Sequence, residues 1–176
     1  MNLPEIEIVR ADFSLPKHRA ALVELMDAYA RDRMGGGAPL NAEVASKIAD
    51  ELLSRPNCHA ILAFVDSVSA GMSINFEVFS TFACSPILNI HDLAVMPQFR
   101  RQGVAKLMLQ EVEAIGVELN CCKLTLEVLE GNERAQGIYK RFGFSGYGHD
   151  PKMGRAMLFD NKLAGVCVFR WIFPIS

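Results

Sequence analysis

The chain has 176 residues, of which 51% are hydrophobic and 22% charged, and its formal net charge at pH 7 is −2. This length and composition suit a single domain with a sizeable core rather than a disordered segment. Net charge gives no general attraction for nucleic acid, and no apolar run reaches the roughly 20 residues of a membrane helix, so neither partner is expected.

The cysteines and the amino terminus indicate the compartment. The five cysteines are odd in number and form no C-x-x-C pair, which favours reduced thiols over a zinc site or a disulfide framework. The first residues, Met1 to Glu5, lack the basic and apolar regions of a signal peptide. We therefore expect a cytoplasmic protein without a metal ion.

The first half of the sequence predicts, in order, one strand, two helices and a hairpin. The elements are a strand over 6–9, a helix from Ser14 to about Arg33, a helix from near Asn41, and strands over 60–65 and 70–79. Ser14 is a candidate side-chain cap, because Pro16 follows it in the first turn. Three glycines, 35–37, separate the helices, and Asp66-Ser67 forms the hairpin turn.

The second half predicts alternating strands and helices. These are a strand over 87–95, a helix over 104–119, a strand over 123–129, a helix over 132–142, a strand from Phe144 and a last strand over 157–159. The order β-α-α-β-β-β-α-β-α-β predicts an α+β, three-layer fold, with a mixed, mostly antiparallel sheet flanked by helices. Residues 1–163 form the predicted domain. The apolar tail, 164–176, is a candidate added strand on the sheet or in a homodimer.

The turn between the strand 87–95 and the next helix has the features of an anion site. Its sequence is Arg100-Arg101-Gln102-Gly103-Val104-Ala105. The first N–H groups of a helix have no partner inside it, and the helix dipole adds partial positive charge there. Gly103 lets the backbone approach a ligand, while Arg100, Arg101 and Lys106 add positive charge. This combination predicts a diphosphate-binding turn.

A second motif lies on the helix over 132–142. Asn132 is a good N-cap, Tyr139 lies on the same helical face two turns later, and Gly143 stands where the helix should end. With Ala135 and Phe144, these residues read N-x-x-A-x-x-x-Y-x-x-x-G-F.

The two motifs together resemble those of the GNAT superfamily of acetyl-CoA-dependent N-acetyltransferases. That family carries Q/R-x-x-G-x-G/A after its fourth strand, matched by Arg100, Gly103 and Ala105, and the N-x-x-A-x-x-x-Y-x-x-x-G-F motif on a later helix. The resemblance covers roughly residues 5 to 160. It implies the GNAT fold and acetyl-CoA as co-substrate.

The resemblance also assigns residues. The backbone of the fourth strand would pair with the pantetheine arm, and a backbone N–H near Leu93 would stabilise the oxyanion that forms from the thioester. The expected cofactor-binding residues are Leu93, Ala94, Val95, Arg100, Arg101, Gln102, Gly103, Val104, Ala105, Lys106, Asn132, Ala135 and Tyr139.

Acetyl transfer to an amine requires one proton to leave and another to arrive. A Lys-like amine, with a pKa of about 10.4, must lose a proton before it attacks, and the departing thiolate benefits from receiving one. Tyr139 suits the second role. By the resemblance, Asp92 and His91 are candidates for the first role, because they lie on the strand that carries an acidic residue in related enzymes. Strand alternation would send one to each face of the sheet, so at most one points at the thioester, and Asp92 is favoured.

The acceptor is less defined by the sequence. Glu77 is a candidate to take the amine proton or bind the acceptor's charge, and with Asp92 and Asp32 it could line an acidic cleft. We expect direct attack on acetyl-CoA by a small-molecule primary amine in a ternary complex. A protein N-terminal or lysine acetyltransferase, and a non-catalytic acyl-CoA-binding protein, remain alternatives.

Overall fold

A computed structural model describes residues 4–146 of the chain. Its helices are α1 (Pro16–Arg31), α2 (Ala42–Leu53), α3 (Val104–Glu118) and α4 (Glu133–Phe142). Its strands are β1 (Ile6–Arg10), β2 (Cys58–Val65), β3 (Val68–Ser80), β4 (Ser85–Val95) and β5 (Leu124–Leu126). The predicted strand over 157–159 and the tail 164–176 lie outside the described residues.

The five strands form one sheet in the order β1-β2-β3-β4-β5. The first three pairings are antiparallel, and β4 pairs with β5 in parallel. The mixed, mostly antiparallel sheet predicted from the sequence is therefore confirmed. A parallel pair needs a crossover connection, and α3 supplies it.

Helices cover both faces of the sheet and bury two apolar clusters. On one face, α1 and α2 pack over Leu62, Phe64 and Met72. On the other, α3 and α4 pack over Ile61, Leu88 and Ile90. Successive strand residues point to opposite faces, so alternate residues of β2 enter different clusters. This arrangement is the predicted three-layer fold.

The helix ends differ in how they are capped. Ser14 does not cap α1: Leu15 holds that position without a side-chain cap, while the Ser14 N–H donates to the Asp12 carboxylate at 2.8 Å. The N–H of the first helical residue has no partner within a helix, so Pro16, which has no N–H, suits this position. The Asn41 side chain accepts from the Glu43 N–H and begins α2 as predicted.

Bounds also differ from expectation at two elements. Helix α1 ends at Arg31 rather than Arg33, and β5 covers three residues instead of the seven predicted over 123–129. β5 is short because its pairing with β4 begins at Leu88 and ends at Ile90. Residues 144–146 are not in a strand. Across residues 4–146, no helix combines the length and apolarity that crossing a membrane requires.

Candidate functional site

One large cavity, of about 1100 Å³, lies where α1, β4, the turn before α3, and α4 meet. It brings together most of the residues predicted to bind the cofactor. Those lining it are Leu93, Ala94, Val95, Arg100, Arg101, Gly103, Val104, Ala105, Lys106, Asn132, Ala135 and Tyr139. The part of the cavity formed by α1 and the residues just after it is here called the α1 wall and consists of Leu25, Ala28, Tyr29, Asp32 and Met34.

The turn before α3 presents main-chain donors to this cavity. The first bond of α3 runs from the Leu107 N–H to the Gly103 carbonyl at 3.1 Å, so the N–H groups of Val104, Ala105 and Lys106 have no partner within the helix. Arg101 and Gly103 both have positive φ, at 66° and 90°. When residues with positive φ alternate with residues of negative φ, successive N–H groups point toward one concavity, which is typical of anion-binding turns.

The backbone conformation at position 103 explains why glycine occupies it. Its φ of 90° is rarely adopted by residues with a Cβ, and no atom lies within 4 Å of the position that a Cβ would occupy. The space beside Gly103 belongs to the cavity, so a larger residue would both strain the turn and fill the place of a ligand.

Arg100 lines the cavity, and its guanidinium also has partners within the protein. Its Nη2 donates to Asp32 Oδ2 at 2.8 Å, and its Nε donates to the Val95 carbonyl at 2.9 Å. The guanidinium therefore joins the end of α1 to the end of β4, and its charge is matched by Asp32. The hydrogen bond from Arg100, and after it the one from the Met34 N–H, lowers the pKa of the Asp32 carboxyl group. Arg101 and Lys106 also line the cavity, and their contact with phosphate stays a prediction.

The edge of β4 that faces β5 opens inside the cavity. Pairing with β5 stops at Ile90, although β4 continues to Val95. On the β3 side, the Met96 N–H donates to the Ala70 carbonyl at 2.8 Å. Because N–H groups of successive strand residues alternate sides, those of Leu93 and Val95 point to the open edge. The family resemblance implies that the pantetheine arm pairs with the backbone of this strand.

A bulge in β4 changes where His91 and Asp92 point. Ile74 lies opposite Asp92 and Asn75 opposite Ile90, so His91 is an extra residue. Asp92 shares the face of Ile74, which packs under α1, and His91 contacts the Phe76 ring edge-to-face at 5.7 Å. Both side chains thus lie on the α1 face. The expectation that alternation separates them is wrong, because the bulge resets the alternation.

The Asp92 side chain is half-buried, and His91 is exposed. Burial raises the pKa of Asp92, and the neighbouring His91 lowers it to a smaller extent. A carboxylate with a raised pKa is a stronger base than a surface aspartate, which suits proton removal. Neither residue is among those lining the cavity.

Tyr139 lies on the wall formed by α4. Its ring is 9% exposed and packs edge-to-face on Phe144, with 5.8 Å between ring centroids. Burial, together with the nearby Tyr29, raises the pKa of Tyr139 to about 12. The phenol is therefore protonated at neutral pH and able to donate. Asn132 begins α4 by accepting from the Ala135 N–H at 3.2 Å, and Gly143 ends it with φ of 115°.

Tyr29 lines the cavity but was not among the site residues predicted from the sequence. The helical pattern of the sequence assigned it to the apolar face of α1, yet the structure places it in the α1 wall of the cavity. Burial, Asp92 and Asp32 raise its pKa, in that order. A phenol at the end of an apolar helix face, three residues before an aspartate, was the available signal.

Two predicted residues lie away from the cavity. Glu77 is opposite Leu88 and so points to the α3 face of the sheet, where it interacts electrostatically with Cys121. Glu77 and Asp92 therefore lie on opposite faces of the sheet, and the contact of Glu77 with the acceptor stays a prediction. Gln102 belongs to the turn, but its side chain donates to the Gln98 carbonyl at 2.9 Å instead of lining the cavity.

Comparison with known families identifies the fold and the chemistry. The model of the acetyltransferase (GNAT) family matches residues 21–144, which include most of α1 and all of the turn, β4, β5 and α4. The family resemblance stated from the two motifs is confirmed.

Curated relatives are N-acetyltransferases. The thialysine N-epsilon-acetyltransferase of Caenorhabditis elegans is 25% identical over 124 residues, covering 70% of this chain and 75% of the relative. The aminoglycoside N(6')-acetyltransferase type 1 of Salmonella typhimurium is 26% identical over 117 residues, covering 65% and 79%.

Among solved structures, an aminoglycoside N-acetyltransferase in complex with CoA superposes with a TM-score of 0.73. It is 17% identical and covers 92% of this chain and 98% of that one. At this identity the likeness concerns the fold, and the structures agree in the mixed sheet and its flanking helices.

Proposed function

This chain belongs to the acetyltransferase (GNAT) family, and on that premise we propose that it transfers the acetyl group of acetyl-CoA to a primary amine of a small molecule. The observation that carries the proposal is the single cavity in which a turn of free main-chain donors, the open edge of β4 and the Tyr139 phenol meet. Each part suits a different portion of the co-substrate.

Acetyl-CoA fits the residues present. The turn N–H groups of Val104, Ala105 and Lys106 suit a diphosphate, and the open space beside Gly103 admits it. The Val95 N–H suits an amide carbonyl of the pantetheine arm. Arg101 and Lys106 supply positive charge to the same wall.

When bound there, acetyl-CoA supplies an activated acetyl thioester, and the residues of the chain would do the rest. The Leu93 N–H would donate to the thioester oxygen, where negative charge develops during attack. Asp92 would receive the proton that the amine must lose. Tyr139 would donate its phenolic proton to the sulfur of the leaving thiolate.

Direct attack within a ternary complex is the scheme that the cavity supports. Among the described residues, no cysteine lines the cavity that could carry the acetyl group between the two substrates. Holding both reactants in one cavity replaces a bimolecular encounter and removes much of its entropic barrier.

A small-molecule acceptor is supported by the relatives. The curated ones are named for thialysine and for aminoglycosides, which are small amines. The α1 wall, with Leu25, Ala28 and Met34 beside Tyr29, is the surface proposed to hold the acceptor.

Calorimetry with acetyl-CoA, followed by thiol release with a panel of amines and peptides, tests the proposal. We expect saturable binding and faster release with small amines than with peptides. Faster release with peptides would favour a protein acetyltransferase. Binding without release on any acceptor would favour a non-catalytic acyl-CoA-binding protein, and no binding would refute the proposal.

A further inference from the structure

Among the described residues, the part of the cavity assigned to the acceptor is apolar, and its one carboxylate already has partners within the protein. We propose that the acceptor is a primary amine on an uncharged, apolar body, such as an alkylamine or an arylalkylamine, rather than an amine that carries further positive charges. The proposal rests on the proposed function, because it names the substrate class of the same site.

The apolar surface on this side of the cavity continues into the core. Its aliphatic residues are Leu25, Ala28, Met34, Ala94 and Met96. Of these, Leu25, Ala94 and Met96 also pack in the apolar cluster between α1, α2 and the sheet. An alkyl or aryl group gains free energy when it leaves water for such a surface. An ammonium group loses its hydration there and gains no partner in return.

Asp32 is the carboxylate of the α1 wall, and each of its oxygens already has a donor. Oδ2 accepts from Arg100 Nη2 at 2.8 Å, and Oδ1 accepts from the Met34 N–H at 2.9 Å. The hydrogen bond from Arg100 is the main cause that lowers the pKa of Asp32, and the charge of Arg134 on α4 contributes least. An ammonium group of a substrate would therefore compete with Arg100 for Asp32 and be repelled by Arg134.

The remaining charges that line the cavity belong to the turn before α3 and to α4, the elements that carry the predicted cofactor residues. Within residues 4–146 they are Arg101, Lys106, Glu133, Arg134 and Arg141. Glu133 is exposed in the first turn of α4, so it does not belong to the α1 wall. The excess of positive charge suits the phosphates of CoA and opposes an acceptor with several ammonium groups.

Asp92 does not replace the missing counter-charge. In the proposed reaction it takes the proton of the attacking amine, and it is not among the residues lining the cavity. A second ammonium group would therefore stay charged and unpaired inside the cavity, which is costly. Aminoglycosides carry several amino groups, so the inference separates the acceptor of this chain from that of the relative named for them.

The test compares n-hexylamine with hexamethylenediamine, which has the same carbon chain and a second amino group at its far end. Thiol release with saturating acetyl-CoA should give a kcat/KM about 100-fold higher for hexylamine, because the second ammonium group has no partner in the cavity. Most of the difference should lie in KM, since the reacting amine and the chemical step are the same. Kanamycin, an aminoglycoside, should react more slowly than hexylamine as well.

Met34→Glu supplies a counter-charge to the α1 wall, and Met34→Gln is the matched control, because it has the same shape without the charge. Met34 contacts Asp32 through its main-chain N–H, so both variants keep that hydrogen bond. Relative to Met34→Gln, Met34→Glu should raise kcat/KM for hexamethylenediamine by about 10-fold and lower it for hexylamine. Acetyl-CoA affinity, measured by calorimetry, should be the same in both variants.

Two outcomes would overturn the inference and leave the proposed function intact. The wild type could acetylate hexamethylenediamine as fast as hexylamine or faster, or Met34→Glu could favour the diamine no more than Met34→Gln does. If the wild type binds acetyl-CoA but releases no thiol with any amine, the proposed function fails, and the inference fails with it.

Discussion

The two sides of the cavity are built in different ways. The turn before α3 offers main-chain N–H groups, whose position depends on a helix start and on one glycine with positive φ. The α1 wall offers side chains that helix packing and a strand bulge bring beside Asp92. The first side tolerates many side chains and suits an invariable ligand, whereas the second changes with single substitutions and suits a variable one.

The largest effect should come from Tyr139, which faces both sides. Tyr139→Phe should lower kcat about 100-fold or more, because the leaving thiolate loses its proton donor. The ring keeps its contact with Phe144, so acetyl-CoA affinity by calorimetry and the melting temperature should stay near wild type. An unchanged kcat would remove Tyr139 from the reaction.

A Gly103→Val substitution should damage the turn alone. A β-branched residue at φ of 90° costs roughly 1–3 kcal/mol, so acetyl-CoA affinity should fall by about 10-fold or more. Calorimetry provides the measurement.

Gly37→Val is the matched control for this strain. Gly37 also has a positive φ, of 73°, and open space around it, but it does not line the cavity. It should lose comparable stability while it keeps its acetyl-CoA affinity. If both variants lose the same affinity, the turn is not the phosphate site.

Asp32→Asn should weaken the connection between the two sides. The pair with Arg100 is partly buried, at 26% and 31% exposure, and is worth about 1 kcal/mol. We expect up to about a 5-fold rise in the acetyl-CoA dissociation constant, together with a rise in acceptor KM. Glu51→Gln, which breaks an exposed pair with Arg55, should change neither. An effect on one substrate only would contradict a connecting role.

The smallest effect is a displacement of the pH profile. Burial raises the pKa of Asp92. As the pH falls, activity should therefore be lost at a pH higher than the ordinary aspartate pKa of about 4. The pKa of Tyr139 is about 12, so ionisation of its phenol should cause no loss below about pH 11. The pH dependence of kcat/KM measures both, and Asp92→Asn should remove the acidic limb. An acidic limb that survives in Asp92→Asn would assign it to another group.

The sequence predicted the turn side well because its chemistry is local. Gly103, the start of α3 and the Asn132 cap are all visible in a few consecutive residues. The α1 wall was not predictable in this way. His91 gave no sign that it is an extra residue in β4, and that insertion alone sets the face on which it lies beside Asp92. Tyr29 comes to line the cavity only through tertiary packing, and Arg100 reaches Asp32 across 68 positions of the chain.

Strand β4 is an interior strand over its first half and an edge strand over its second, where the described residues leave one side unpaired. Exposed edges usually invite association with another chain, and this one is sheltered between two helices instead. The same geometry lets peptide-binding domains recruit an extended partner by strand addition. Binding of a ligand along this edge would depend on the spacing of main-chain amide groups rather than on the identity of side chains. Side-chain substitutions in β4 would therefore have little effect on it.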